Sequence, residues 1–354
     1  MSERVRVGVI GAGVGKAHLA GYKACPEAEL IALCDTDAER LQAVGDQYQV
    51  PQRFTDYHEM LALPELDAVS VALPNFLHAP VSIAAMEAGK HVLCEKPLAA
   101  TLADAEAMVA ASQATGRRLM ITFNYRYRGD AQYIKRLMEG GELGRVYHVR
   151  AGWMRRRGIP KVGGWFTRKA MSGGGPLIDL GVHILDLTMW FLGYPEVATV
   201  SGVTHNALAS QGKGAAVPFR GLEDYDVEDL AAAFLRLRNG TSISLEISWA
   251  SHSSASDDYF VHLRGDRSGA ELTVHNYARE DTVRLYGDLG GRPVEFAPQI
   301  PPTISGHEGA VREFLASIRE GRAPSSPAAQ GLVISRLLEA IYRSAATGRE
   351  IAFD

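Results

Sequence analysis

Apolar runs and amphipathic segments alternate along the first third of the chain. Five short apolar runs have the length of buried strands, at residues 5–10, 30–34, 68–73, 91–94 and 119–123. The segments between them predict helices at 17–24, 38–48, 78–88 and 101–115. Strands that alternate with helices in this way indicate βαβ units. We therefore predict an α/β domain with a parallel sheet and helices on both of its faces.

The pattern changes after Arg126, where apolar and polar residues alternate with a period of two. The turn at Asn239-Gly240 favours antiparallel pairing. Six strands are predicted at 146–153, 197–204, 230–238, 241–249, 259–264 and 270–274, and helices at 131–139, 176–192, 307–320 and 328–346. We thus predict a parallel α/β domain over 1–126 and an α+β domain over 127–354. The long glycine-rich segment 205–226 indicates a mobile or functional loop.

Composition narrows the class of protein. A chain of 354 residues with 46% hydrophobic residues is expected to form two domains with full-sized cores. The formal net charge of -4 argues against nucleic acid or an anionic membrane as a partner. Three scattered cysteines favour neither a disulfide framework nor a zinc site. With no leader or membrane-spanning run in the pattern, we expect a cytoplasmic enzyme or binding protein without a metal.

A glycine-rich turn follows the first strand. Glycines between a strand and a helix let the backbone turn sharply and approach a pyrophosphate at the helix amino terminus. The usual G-x-G-x-x-G spacing puts its third glycine where this chain has Lys16. The context still predicts a dinucleotide site, formed by Gly11, Ala12, Gly13, Val14 and Gly15.

Asp35 ends the second predicted strand, where a carboxylate accepts hydrogen bonds from the adenosine ribose. Neither Thr36 nor Asp37 provides a cation for a 2′-phosphate, so the sequence favours NAD over NADP. The alternative for Asp35 is a turn-forming or helix-capping aspartate. Asp37, immediately before the second helix, is the better candidate for that cap.

The tripeptide Glu95-Lys96-Pro97 follows the predicted strand 91–94. Carboxyl ends of strands are where open α/β sheets bind ligands, and this place would hold the Lys96 amine at a fixed point. Taken alone, the tripeptide is more simply interpreted as a solvated turn.

A second group of polar residues lies on the predicted helix 176–192, which three glycines and Pro176 introduce. Asp179 and His183 are four residues apart and would share one face of an α-helix. A carboxylate that holds an imidazole suits general acid–base chemistry. The alternatives are a helix-stabilising Asp–His pair and a histidine that is satisfied by Asp186.

The glycine turn, the Glu-Lys-Pro strand end and the Asp179–His183 helix occur in one order along the chain. They are accompanied by Leu73-Pro74-Asn75, by His78 and by the run from Phe123 to Arg126. In this combination the whole chain resembles the glucose–fructose oxidoreductase / inositol dehydrogenase / MocA family. The resemblance implies a Rossmann domain followed by an α+β domain with a large, mostly antiparallel open sheet, through which members pair as homodimers or homotetramers.

The resemblance also implies roles for individual residues. Lys96 would contact both nicotinamide and substrate, with Asp179 and His183 as further catalytic and substrate-binding residues. Arg126 is a further substrate-binding candidate. Apart from the resemblance, the aromatic and cationic stretch 153–168 offers Trp165, either to stack on a sugar or lid the pocket or as a plain packing tryptophan. The expected cofactor contacts beyond the glycine turn are Asp35, Thr36, Leu73, Pro74, Asn75, His78, Glu95 and Lys96.

The leading hypothesis is an NAD-dependent oxidoreductase acting on a sugar, an inositol or a related polyol. Hydride would pass between the nicotinamide and the reacting carbon while Lys96 takes or gives the hydroxyl proton, with His183 as an alternative base or relay. Two alternatives stay open at this point. One is an NAD-dependent glycosidase that oxidises its sugar transiently, and the other is a non-catalytic dinucleotide sensor.

Overall fold

Strands and helices alternate from the amino terminus as far as Tyr127 in the computed structural model, which describes residues 4–215, 224–301, 304 and 306–353. In chain order the elements are β1 Val5–Ile10, α1 Gly15–Lys23, β2 Ala28–Cys34, α2 Ala38–Gln47, β3 Gln52–Phe54, α3 Tyr57–Leu61, β4 Ala68–Val71, α4 His78–Glu87, β5 His91–Cys94, α5 Leu102–Thr115 and β6 Leu119–Ile121.

The rest of the chain is richer in strands. It comprises α6 Gly129–Gly140, β7 Val146–Arg155, α7 Lys169–Ser172, a π-helical turn Leu177–Gly181, α8 Val182–Leu192, β8 Val197–His205, β9 Leu230–Leu237, β10 Ser242–Ser248, β11 Asp257–Gly265, β12 Gly269–His275, β13 Val283–Leu289, β14 Arg292–Phe296, α9 Gly306–Arg319, α10 Ala328–Thr347 and β15 Ile351–Ala352.

The chain divides into two compact units. The first comprises Met1–Tyr127 with Ile304–Ser335, and the second comprises Arg128–Thr303 with Arg336–Asp354. The predicted break after residue 126 lies one residue from the observed one. The prediction that 127–354 forms a single domain needs correction, because Ala310, Val311, Phe314 and Leu315 of α9 lie in the same core cluster as Leu19 and Tyr22 of α1.

The first unit contains a six-stranded sheet in the order β3-β2-β1-β4-β5-β6, and all of its pairings are parallel. This order is that of a Rossmann fold, with its switch point between β1 and β4. The predicted cap at Asp37 is confirmed, since its carboxylate accepts the Arg40 N–H at 3.0 Å. Because these strands are parallel, the carboxyl ends of β1, β4 and β5 lie along one edge of the sheet. The predicted cofactor residues follow the strands at this edge.

The second unit contains a nine-stranded sheet in the order β14-β13-β12-β11-β7-β10-β9-β8-β15. Only the β7–β10 pairing is parallel, so the predicted fold class is confirmed. The helix α8 is buried along most of its length. Within the predicted loop 205–226, the structure describes 205–215, with a 3₁₀ turn at Ala209–Gln211, and 224–226, while 216–223 lie outside the described residues.

Among the described residues, one stretch, Lys169–Leu192, is long and apolar enough to cross a membrane by length and composition. However, 83% of its most apolar window is buried inside the protein, as in the core helix of a globular unit.

Candidate functional site

The glycines after β1 have three different surroundings. Gly11 has φ +100°, and a Cβ there would lie 2.2 Å from the Ala72 carbonyl oxygen. A Cβ at Gly13 would meet nothing within 4 Å, while one at Gly15 would lie 2.8 Å from Val9 Cγ1. The three positions thus suit a sharp turn, an open approach for a ligand and close packing of α1 on β1. These are the roles of the three glycines in a dinucleotide-binding turn, and Gly15 performs the third in place of a glycine at position 16.

Asp35 is buried at the end of β2, and four donors surround its carboxylate. Oδ2 accepts the Ala12 N–H at 2.7 Å and Arg40 Nε at 3.0 Å, while Oδ1 accepts the Asp37 N–H at 2.9 Å and Arg40 Nη2 at 2.7 Å. Burial alone would raise the pKa of Asp35, but Arg40 and the two backbone N–H groups hold it below its ordinary value. Thr36 and Asp37, the neighbours that the sequence offered, carry no cation. Arg40, which the sequence did not indicate, places one against Asp35.

The loop after β4 contains Leu73, Pro74 and Asn75 and leads into α4 at His78. The His78 ring is fully buried, with Nε2 2.8 Å from the Leu73 carbonyl oxygen and Nδ1 2.8 Å from the Pro97 carbonyl oxygen. Its imidazole therefore fastens the loop after β4 to the loop after β5. The same edge of the sheet thus presents both loops beside the glycine turn.

Glu95 follows β5 and is buried in a hydrogen-bonded network. Oε1 accepts His18 Nε2 at 2.8 Å and lies 3.4 Å from His307 Nε2, while Oε2 accepts the Lys96 backbone N–H at 3.2 Å. On the other side of His18, Nδ1 lies 3.0 Å from the Ser70 hydroxyl. The network fixes the backbone at half-buried Lys96, whose peptide bond to Pro97 is cis.

The charge of Glu95 depends on these partners. Burial alone would raise the pKa of its carboxyl group, but hydrogen bonds from His18 and His307 hold it well below the ordinary value. Glu95 is therefore an anion at neutral pH. The nitrogen and oxygen atoms of His18, Glu95 and His307 all lie within 4.8 Å of one another, the one such trio of metal-ligand types among the described residues. The 2.8 Å between His18 and Glu95 is a hydrogen-bond distance, and the 3.4 Å between His307 and Glu95 is that of a longer ion-pair contact.

Arg126, a predicted substrate-binding residue, is buried within the first unit. Its Nη1 donates to the Ser325 carbonyl oxygen at 2.9 Å and to Gln330 Oε1 at 2.8 Å. These contacts fasten the returning segment Ile304–Ser335 to the end of the first stretch of chain.

In the second unit, Asp179 lies in the π-helical turn and His183 in the first turn of α8. The predicted continuous α-helix over 176–192 therefore needs correction. The carboxylate of Glu228 accepts the N–H groups of Gly175 at 3.0 Å and Leu177 at 3.1 Å, together with the Tyr342 hydroxyl at 2.8 Å. This buried carboxylate thus holds the start of the turn. The sequence does not indicate this contact, because Glu228 lies far from Gly175 and Leu177 along the chain.

Aromatic side chains lie beside both Asp179 and His183. Trp249 Nε1 donates to Asp179 Oδ2 at 3.0 Å, and the ring of Trp153 lies 5.9 Å from that of His183 between centroids. Asp186, the alternative partner for His183, accepts the Tyr194 hydroxyl at 2.6 Å. The predicted pair therefore lies in an aromatic setting that the sequence did not show.

Trp165 begins a short 3₁₀ turn and stacks on Phe166 with ring centroids 3.8 Å apart. The next residues are anchored, since Arg168 pairs with Asp224 at 2.7 Å and the Lys169 N–H donates to Asp226 at 2.5 Å. Trp165 itself is half-buried, and the residues that follow it are held by these contacts.

Comparison with known proteins identifies the class. Residues 5–123 match the family described as "Oxidoreductase family, NAD-binding Rossmann fold", and 131–271 match the GFO/IDH/MocA C-terminal domain. The chain belongs to this family, as its motifs indicated. It is therefore an oxidoreductase whose first unit is an NAD-binding Rossmann fold, and the predictions of NAD as cofactor and of enzymatic activity are confirmed.

Three relatives illustrate the range of the family. D-glucoside 3-dehydrogenase of Escherichia coli is 32% identical over 99% of this chain and 98% of its own length. Levoglucosan dehydrogenase of Pseudarthrobacter phenanthrenivorans is 28% identical over 97% of each chain. The solved structure of GenD2 from gentamicin A biosynthesis in complex with NAD is 26% identical, with a TM-score of 0.81, and covers 100% of this chain and 97% of that one.

The network around Glu95 predicts a pH-dependent stability. Because the pKa of Glu95 falls on folding, its contribution is present above the ordinary value of 4.5 and is lost as the pH falls through the lower value of the folded protein. We expect Glu95→Gln to lower the free energy of unfolding at pH 7 by about 1.5–3 kcal/mol, the usual contribution of hydrogen bonds to a charged group. The deficit should shrink as the pH falls below 4.5, measured by urea unfolding.

Glu87→Gln, at an exposed glutamate at the end of α4, is the matched control and should leave stability unchanged. A deficit for Glu95→Gln that stays constant with pH would contradict the role of its charge.

Proposed function

We propose that the protein oxidises a hydroxyl group of a sugar or a related polyol, inositols included, with NAD as the hydride acceptor and Lys96 as the general base. The observation that carries this proposal is the place of Lys96. Its backbone is held by the buried carboxylate of Glu95 at the edge of the sheet where the glycine turn lies. In the reductive direction the protonated amine would serve as the acid and polarise the carbonyl.

The proposed cofactor contacts are the glycine turn 11–15, Asp35 and Thr36, the loop from Leu73 to Asn75, Glu95 and Lys96. The open space at Gly13 supports the approach of a pyrophosphate, and bound NAD would supply the hydride-accepting nicotinamide. His78 would act by holding two of the loops in place, since both its ring nitrogens lie against backbone carbonyl oxygens.

The proposed substrate residues of the second unit are Asp179, His183 and Trp165. Asp179, oriented by Trp249, would accept hydrogen bonds from substrate hydroxyl groups or orient the imidazole. His183 would serve as a relay or as an alternative base. The relatives named for glucosides and levoglucosan support a carbohydrate as the class of substrate. As an enzyme of this kind we expect it in the cytoplasm.

We further propose that the chain pairs as a homodimer or homotetramer through the nine-stranded sheet. One face of this sheet carries Arg150, Val203, Phe234 and Glu246 around a shallow depression. Val203 is 49% exposed and Phe234 36% exposed in a single chain, which favours a buried partner for this apolar surface.

Lys96→Met tests the catalytic assignment. With a panel of sugars, glycosides and inositols, the wild type should form NADH, and the variant should lose about 10²- to 10⁴-fold in kcat while its NADH affinity stays close to normal. Lys23→Met, at an exposed lysine that ends α1, is the control for loss of a positive charge. Normal turnover of Lys96→Met would refute the assignment. Glycoside cleavage without release of NADH would favour the glycosidase, and NADH binding without any turnover the sensor.

Asp35 and Arg40 test the choice of cofactor. All four acceptor positions of Asp35 are filled, so a ribose hydroxyl must displace Arg40. We expect Asp35→Ser to raise the KM for NAD by about tenfold, or about 1.4 kcal/mol, relative to that for NADP. Arg40→Ala should change the ratio in the opposite direction, because it frees the carboxylate for the diol. Equal effects on both cofactors would contradict the ribose contact.

Phe234→Glu tests the pairing surface. A charge at this position should shift the protein towards the monomer in sedimentation analysis, because burying it in an interface is costly. Phe296→Glu, at an exposed phenylalanine on β14, is the control and should leave the mass unchanged. A Phe234→Glu variant with the wild-type mass would place the interface elsewhere.

A further inference from the structure

A cavity lies at the amino-terminal edge of the six-stranded sheet, in the first unit. Arg4 and Arg6 stand at the start of β1, Lys90 directly precedes β5, Arg117 lies just before β6, and Arg319 ends α9. Together with Asp67 they surround a space of about 450 Å³, which we call the basic cavity. None of these residues takes part in the proposed oxidoreductase chemistry.

The charges around the basic cavity are unbalanced. Five cationic side chains line it against the single carboxylate of Asp67, although the whole chain has a formal net charge of -4. Asp67 is already occupied, since its two oxygens accept Arg6 Nη2 and Nε at 3.1 Å each. Over the described residues 4–215, 224–301, 304 and 306–353, Arg4 and Arg117 form no ion pair, and Arg319 has only Glu27 at 3.9 Å.

The neighbouring titratable groups respond to these cations unequally. Burial lowers the pKa of Lys90, Asp67 and Glu65 oppose this shift, and the smaller effects of Arg6 and Arg117 add to it. Burial, Arg118 and Arg117 lower the pKa of His91 to about 4, so this ring is neutral at neutral pH. The Lys90 ammonium group donates one hydrogen bond to the Leu63 carbonyl oxygen at 2.7 Å. An ammonium group has three N–H donors in all.

We propose that the basic cavity binds a small anion with two or more negative charges, such as a pyrophosphate or a polycarboxylate. Arginine side chains present planar donor pairs that match phosphate and carboxylate oxygens. A volume of about 450 Å³ is that of a small-molecule site rather than of an extended macromolecular surface.

The basic cavity is separate from the cofactor turn. Arg4 precedes β1 and Gly11 follows it, so the length of the strand, roughly 20 Å at about 3.3 Å per residue, lies between them. An anion in the cavity would therefore leave the pyrophosphate position at the glycine turn free. Both sites could be filled in the same molecule.

The test is calorimetric titration of the NADH-saturated protein with pyrophosphate and, separately, with citrate at constant ionic strength. Saturation with NADH removes the glycine turn as a competing site. We expect one anion per chain, and an Arg117→Ala variant should bind it at least tenfold more weakly. Arg267→Ala, at an exposed arginine of the second unit, is the matched control and should bind like the wild type. Arg4→Ala provides a second removal of charge should Arg117→Ala unfold.

Binding of only one of the two anions would support the proposal and identify the phosphate or the carboxylate class. Two results would overturn it. These are no binding of either anion to the NADH-saturated protein at millimolar concentration, and equal affinity in the variants and the control.

Discussion

A buried carboxylate must be compensated, and the way in which this chain compensates Glu95 governs the architecture of its first unit. The group lies at the end of a central strand, where two imidazoles and a backbone N–H surround it. His18 comes from the first helix and His307 from α9, so one anion joins the sheet to two different helices. Removing one imidazole would leave the buried carboxylate with fewer partners, and breaking a buried ion pair costs about 3–5 kcal/mol. The position of the Lys96 backbone follows from this constraint.

The local parts of this arrangement could be predicted from the sequence. The glycine turn, the cap at Asp37 and the strand before Glu95 depend on residues that are close together in the chain, where period and turn chemistry are informative. The local pattern also indicates helix around Asp179 and His183, although Asp179 lies in the π-helical turn and only His183 in α8. Even the irregular third glycine can be interpreted from the packing of Gly15, where an added Cβ would lie 2.8 Å from Val9 Cγ1.

The parts that could not be predicted depend on partners distant in sequence or on weak local patterns. No spacing rule connects Glu95 with His307, or Gly175 with Glu228, because their contacts exist only in the folded units. Arg40 was missed because its guanidinium reaches back to Asp35 from the first turn of α2. The strands β3 and β14 were missed because they bury none of their residues and so lack an apolar period.

The return of Ile304–Ser335 to the first unit limits how the chain can be divided. A gene fragment that ended at residue 127 would encode all six parallel strands but not the helix that covers Leu19 and Tyr22. The fragment would also lack His307, one of the two imidazoles that hold Glu95. Exchange of a nucleotide-binding module between relatives would have to carry both stretches together. The first unit is therefore one body of contacts but two separate stretches of the gene.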